Sequence, residues 1–68
     1  MDKLHSETRG RILRVALRHF ADCGYAGASV QTIVDGARVT KPTLYYYFKS
    51  KAGLFQALID WAMTNASG

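Results

Sequence analysis

Apolar residues recur along this chain at helical spacing in four runs, and residues that start or stop helices lie between the runs. In the first run Ile12, Leu13, Ala16, Leu17 and Phe20 share one face of a helix predicted over residues 6–23. Ser6 or Thr8 is its candidate cap, and Gly24 suits the position just past its end. Gly10 weakens this helix by up to about 1 kcal/mol relative to alanine. The connection GYAGA follows, and Ser29 caps a second helix over residues 30–37 that buries Val30, Ile33, Val34 and Ala37. Arg38 and Val39 form a turn. Thr40 caps a third helix over residues 41–48, with Pro42 in its first turn, where a missing N–H does no harm. Leu44 and Phe48 share the side expected to meet the core, while Pro42, Tyr45 and Tyr46 lie on the other. Ser50 caps a fourth helix from Lys51 to about residue 65, with Leu54, Phe55, Leu58, Ile59 and Ala62 in its stripe and Trp61 at the edge.

These runs predict an all-α fold with Ile12, Leu13, Leu17, Phe20, Ile33, Leu44, Phe48, Leu54, Phe55 and Leu58 in its core. Sixty-eight residues allow one domain. A chain of this size buries roughly 60% of its unfolded surface, so the core is marginal. A hydrophobic fraction of 49% fits a folded globule and excludes a disordered tail.

Charge adds a direction. The formal net charge is +4 and the isoelectric point about 9.6. No Asp or Glu occurs between Asp35 and Asp60, whereas Arg38, Lys41, Lys49 and Lys51 all fall there. The positive field is therefore concentrated on the second and third helices and the start of the fourth, and it favours a polyanionic partner. The polar face of the first helix carries Glu7, Arg11, Arg14, Arg18 and Asp22. Its pairs at i,i+4 predict a solvated, self-paired surface rather than a ladder of phosphate contacts.

Catalytic and metal chemistry find no footing. Cys23 is the single cysteine, so no internal disulfide can form, and it is expected to be a small buried residue near a helix end. His5 and His19 are far apart and have no ligand cluster around them, so no metal and no cofactor are expected. There is no phosphate-cradling glycine loop and no nucleophile–base arrangement, so the chain is not expected to be an enzyme. No apolar run of membrane-spanning length occurs and the N-terminal residues are polar, which points to the cytoplasm and away from membranes.

The chemistry lies in residues 29–51. A short helix, a four-residue turn, a second short helix with three consecutive tyrosines and a basic, Ser-capped helix start come in the order of a helix-turn-helix. A tyrosine ring can meet a thymine methyl and its hydroxyl a phosphate, while Lys41 can reach guanine O6 or N7. Two other readings compete. One is a helical protein-interaction module with Tyr45, Tyr46 and Trp61 as its aromatic anchors. The other is a membrane-surface helix. The first leaves the acid-free stretch unexplained and the second leaves the caps and turn unexplained.

Two longer runs carry a resemblance. TRGRILRVALRHFADCGYAGASVQTIV resembles the first helix, turn and second helix of the tetracycline-repressor (TetR) family of bacterial transcription regulators, and VTKPTLYYYFKSKAGLFQAL resembles its third and fourth helices. The resemblance covers Thr8 to Leu58. It implies a homeodomain-like three-helix bundle plus the start of a fourth linking helix, with residues 1–68 as the DNA-binding domain. It implies base-reading positions at Gln31, Thr40, Lys41, Pro42 and Tyr45, and phosphate-binding positions at Ser29, Thr43, Tyr46, Tyr47 and Lys51. It also implies a double-stranded DNA partner with a palindromic operator, a homodimer in the full-length form, and repression released by an effector bound to a C-terminal domain outside these residues. Trp61 is then expected to be partly exposed and to mark where that domain docks. The chain departs from the family pattern at Arg38, where a glycine of positive φ is usual, and at Val34, where a small alanine is usual.

Overall fold

Three hydroxyls divide the chain after its first long helix. Ser29 Oγ accepts the Thr32 N–H at 3.3 Å, Thr40 Oγ1 accepts the Thr43 N–H at 3.4 Å, and Ser50 Oγ accepts the Gly53 N–H at 2.9 Å. Each bond satisfies one of the backbone donors that a helix start leaves without an intrahelical partner. The computed structural model describes the backbone of residues 2–66 and the side chains of residues 7–64. It contains α1 (Asp2–Gly27), α2 (Val30–Ala37), α3 (Lys41–Phe48) and α4 (Lys51–Ala66), with no strand among the described residues. The all-α expectation holds, and the last three helices start where their caps predict.

α1 differs from the sequence reading at both ends. It begins at Asp2, so Ser6 and Thr8 lie inside it and neither marks its start. The side chains of His5 and Ser6 lie outside the described residues. Gly24 does interrupt the helix, at φ 75° and ψ 170°, but one further helical turn follows to Gly27. A positive φ of this kind suits glycine, and the break turns the chain toward α2.

The core is formed by Ile12, Leu13, Ala16, Phe20, Ala28, Ile33, Val34, Ala37, Leu44, Phe48, Leu54 and Leu58. Phe55 and Trp61 are half-buried against it. Leu17, expected in the core, is 43% exposed. At roughly 100° per residue it falls just beyond the arc that joins Ile12, Ala16, Phe20 and Leu13. The arc instead extends the other way, to Val15. There Gly36 lets α2 approach closely enough that a Cβ on Gly36 would stand 3.0 Å from Val15 Cγ1. Phe20, Tyr25 and Phe55 form an aromatic cluster with centroids 5.1–5.8 Å apart, bracing the connection between α1 and α2 against α4.

Two left-handed residues flank α3, and both are basic. Arg38 lies at φ 61°, ψ 43°. Its N–H reaches Asp35 O at 3.3 Å and the Val39 N–H reaches Val34 O at 3.0 Å, which closes α2 in the pattern usually built on glycine. Lys49 lies at φ 76°, ψ −41°, and the Ser50 N–H donates to Phe48 O at 2.9 Å, so a γ-turn joins α3 to α4. The turn draws the Phe48 carbonyl against Gly53, where a Cβ would collide with it. The glycine usual at the Arg38 position pointed to its positive φ, whereas nothing in the sequence pointed to that of Lys49.

A side chain in the left-handed region costs about 1 kcal/mol. Arg38→Gly is therefore expected to stabilise the chain by about that amount, raising its melting temperature by about 4–8 °C. Thermal unfolding followed by circular dichroism checks this, and a lowered melting temperature would contradict the turn geometry.

Candidate nucleic-acid interface

The interface is built outward from α1, which grips α2 at both ends. At the N-terminal end of α2, His19 Nε2 accepts the Ser29 N–H at 3.0 Å. At the C-terminal end, Arg11 Nε donates to Ala37 O at 2.7 Å. The pairs 11–37 and 19–29 step eight residues along each segment in opposite directions, about 12 Å at the helical rise. The two helices are thus antiparallel and in register, with Val15 against Gly36 between the grips. The Arg11 bond also supplies a positive charge and a donor to a helix C-terminus, where carbonyls lack partners.

This corrects two sequence expectations. Arg11 stays exposed but is not merely a self-paired surface charge, because its Nε–H reaches across to the Ala37 carbonyl of α2. Cys23 is exposed, not buried, and its Sγ lies 3.7 Å from His19 Nδ1. Among the described residues there is still no group of three or more potential metal ligands. Neither grip stood out in the sequence. The row Arg11, Val15, His19 at i, i+4, i+8 is its trace, but a polar–apolar–polar row looks like an ordinary helix edge.

With α2 fixed and closed at Arg38, α3 is anchored by Leu44 and Phe48, both buried. Its opposite side carries the expected reading residues. Lys41 and Pro42 are exposed, Tyr45 is 40% exposed and Tyr46 68% exposed. Thr40 and Thr43 are joined hydroxyl to hydroxyl at 3.0 Å, so the cap pre-arranges two of the predicted positions. Tyr47 is half-buried and packs against the core. Its ring meets Tyr46 edge-on at 5.3 Å and so supports its neighbour. Gln31 is exposed on α2, with its Nε2 donating to Asp35 Oδ1 at 2.8 Å. Ser29 is exposed at the α2 start. Lys51 sits apart, its Nζ 4.6 Å from the Tyr25 ring centroid. A cation–π contact at such a site is worth roughly 0.5–1 kcal/mol, less than a charged hydrogen bond to a phosphate at about 1.5–3 kcal/mol. Lys51 can therefore leave Tyr25 for a stronger anion.

Residues 12–58 match the family model described as bacterial regulatory proteins, tetR family. The chain belongs to the TetR family. Its relatives include the HTH-type transcriptional activator FasR of Mycolicibacterium smegmatis, 41% identical over 59 residues. Similar in the same way are the HTH-type transcriptional regulators AcrR of Shigella flexneri, 39% identical over 59 residues, and UidR of Escherichia coli K12, 39% identical over 62 residues. Each match takes in 87% of this chain but only 27%, 27% and 32% of the relative, so the chain spans about a third of their length or less. No solved structure matches. The matched TetR residues are a DNA-binding helix-turn-helix domain of a transcriptional regulator, not an enzyme. No helix among the described residues is long and apolar enough to cross a membrane.

The two roles open to Arg11 separate cleanly by experiment. If Arg11 holds α2, Arg11→Ala lowers stability by about 1 kcal/mol and leaves the salt dependence of DNA binding unchanged. A salt slope reduced by about one unit with unaltered stability would mean that Arg11 contacts a phosphate instead.

Proposed function

We propose that this domain reads double-stranded DNA in a sequence-specific manner by laying α3 in the major groove. In this reading Thr40, Lys41, Pro42 and Tyr45, with Gln31 from α2, face base edges. Ser29, Thr43, Tyr46, Tyr47 and Lys51 grip phosphates. The observation that carries it is the division of α3 into a buried side, Leu44 and Phe48, and an outward side of hydroxyls, rings and one ammonium. An α-helix, about 10–12 Å across with its side chains, fits the roughly 12 Å wide major groove, and α3 is an eight-residue helix of this kind. The absence of acidic side chains from residue 36 to residue 59, with Arg38 and Lys49 at either end of α3, supplies the field that brings a phosphate backbone to it.

In the full-length form the protein acts as a homodimer on a palindromic operator, with its two α3 helices about one DNA turn, roughly 34 Å, apart. It works in the bacterial cytoplasm at the nucleoid as a repressor whose operator occupancy is released by an effector bound elsewhere in the protein. The resemblance to TetR repressors supports this sign of regulation, and an operator-driven reporter tests it. A signal that falls on expression and returns with effector is expected. Activation, as in the name of the FasR relative, is the contrary result. On α4 the exposed Ile59 and Met63 and the half-buried Trp61 are assigned to docking of the remainder of the protein.

Reading and gripping residues differ in what they change. Tyr45→Ala should cost roughly 1–3 kcal/mol of discrimination between selected and random duplexes. Lys51→Ala should weaken both alike and lower the salt slope by about one. Affinities of the two variants measured over a salt series decide it, and equal loss of specificity in both would contradict the assignment.

A further inference from the structure

We propose that His19 is a positioning residue for the start of α2 and that it works only while its ring is uncharged; the DNA consequence rests on the reading of Ser29 as a phosphate grip. The Ser29 hydroxyl serves the Thr32 N–H, and the N–H of Ser29 itself is directed at His19 Nε2, 3.0 Å away. A neutral imidazole has one donor and one acceptor nitrogen. A backbone donor at Nε2 makes that nitrogen the acceptor and places the ring proton on Nδ1, which lies 3.7 Å from Cys23 Sγ. Both ring nitrogens are thus used in a single tautomer.

A second proton destroys this arrangement. It sets a ring N–H against a backbone N–H, and it brings a positive charge to a helix N-terminus that is already partly positive. Little around the ring offsets that charge. On α1, Asp22 stands three residues along and makes no hydrogen bond or ion pair with the ring, and Cys23 offers a thiol. From α2 the one charged side chain is Asp35, held by Gln31 at the far part of the helix. From α4, Lys51 lies over Tyr25 and brings no negative charge. The grip at the other end of α2 behaves differently, because Arg11 stays charged at any pH the protein meets. Acid therefore releases the start of α2, with Ser29 and Gln31, while Ala37 and the turn into α3 remain held.

The test follows the 15N-labelled chain by NMR at about pH 8 and at an acid pH at which the His19 ring signals themselves show both nitrogens protonated, and in parallel measures its affinity for a random-sequence DNA duplex at fixed salt. At the higher pH the ring signals of His19 should report a proton on Nδ1. At the lower pH the Ser29 amide signal should move while those of Ala37 and Arg38 stay, and duplex affinity, measured at salt high enough to screen the charge gained by the ring, should fall about threefold to tenfold, the worth of one hydrogen bond. His19→Gln, whose Oε1 can accept the same N–H without titrating, should keep the Ser29 signal and the affinity across the range, whereas His19→Leu should lose the Ser29 bond at both values. A wild-type Ser29 signal indifferent to pH overturns the proposal, as does an affinity of His19→Gln that falls in step with the wild type. A chain whose Ser29 responds as described but which binds no duplex at either pH overturns the DNA-binding reading and leaves the His19–Ser29 switch standing, so the two failures are distinguishable.

Discussion

Everything on the outward side of α3 depends on two side chains on its inward side. An eight-residue helix is too short to persist in water by itself. Leu44 and Phe48 hold it by burial worth roughly 1.5–3 kcal/mol each. That anchoring leaves the outward positions unneeded for folding, so the chain can place hydroxyls, rings and a lysine there. Tyr47 lies between the two demands, half-buried and edge-on to Tyr46. A surface built this way is rigid where it touches the core and open where it meets a partner.

The frame behind α3 is held by backbone bonds as much as by packing. α1 touches both ends of α2 through side chains that reach backbone groups, Arg11 to a carbonyl and His19 to an N–H, with Gly36 allowing close approach between them. The two residues that bend the chain into and out of α3, Arg38 and Lys49, adopt conformations that glycine would take with less strain. Both are cations beside a surface read as meeting phosphates. Local strain of about 1 kcal/mol is small beside a charged contact to a phosphate at about 1.5–3 kcal/mol, which gives a physical reason for a basic residue at either bend.

Much of this architecture was legible in the sequence, because caps and periodicity are local. Ser29, Thr40 and Ser50 mark the helix starts correctly, and the period of the apolar residues finds most of the core. The left-handed Arg38 was hinted at only by the family pattern, in which a glycine of positive φ usually stands there. The early start of α1 and the Lys49 bend are local misses, but the others depend on what lies across a helix interface. Leu17 has the right spacing, but the packing arc of α1 is displaced toward Val15, where α2 comes close. Cys23 and His19 look unrelated until α1 carries them onto one face beside Ser29. Arg11 looks like a solvated charge until α2 presents Ala37 to it. The fourth helix shows the same limit, since its stripe is plain in the sequence but the cover for Ile59 and Met63 is not.

In the proposed reading α3 and the start of α2 form the face that meets DNA. Amide NMR of the chain titrated with a duplex selected from a random pool tests it most directly. Signal changes should concentrate at Ser29 to Gln31 and from Thr40 to Lys51, with α4 beyond Leu58 little affected. Changes centred on Ile59, Trp61 and Met63, with α3 unmoved, would contradict it.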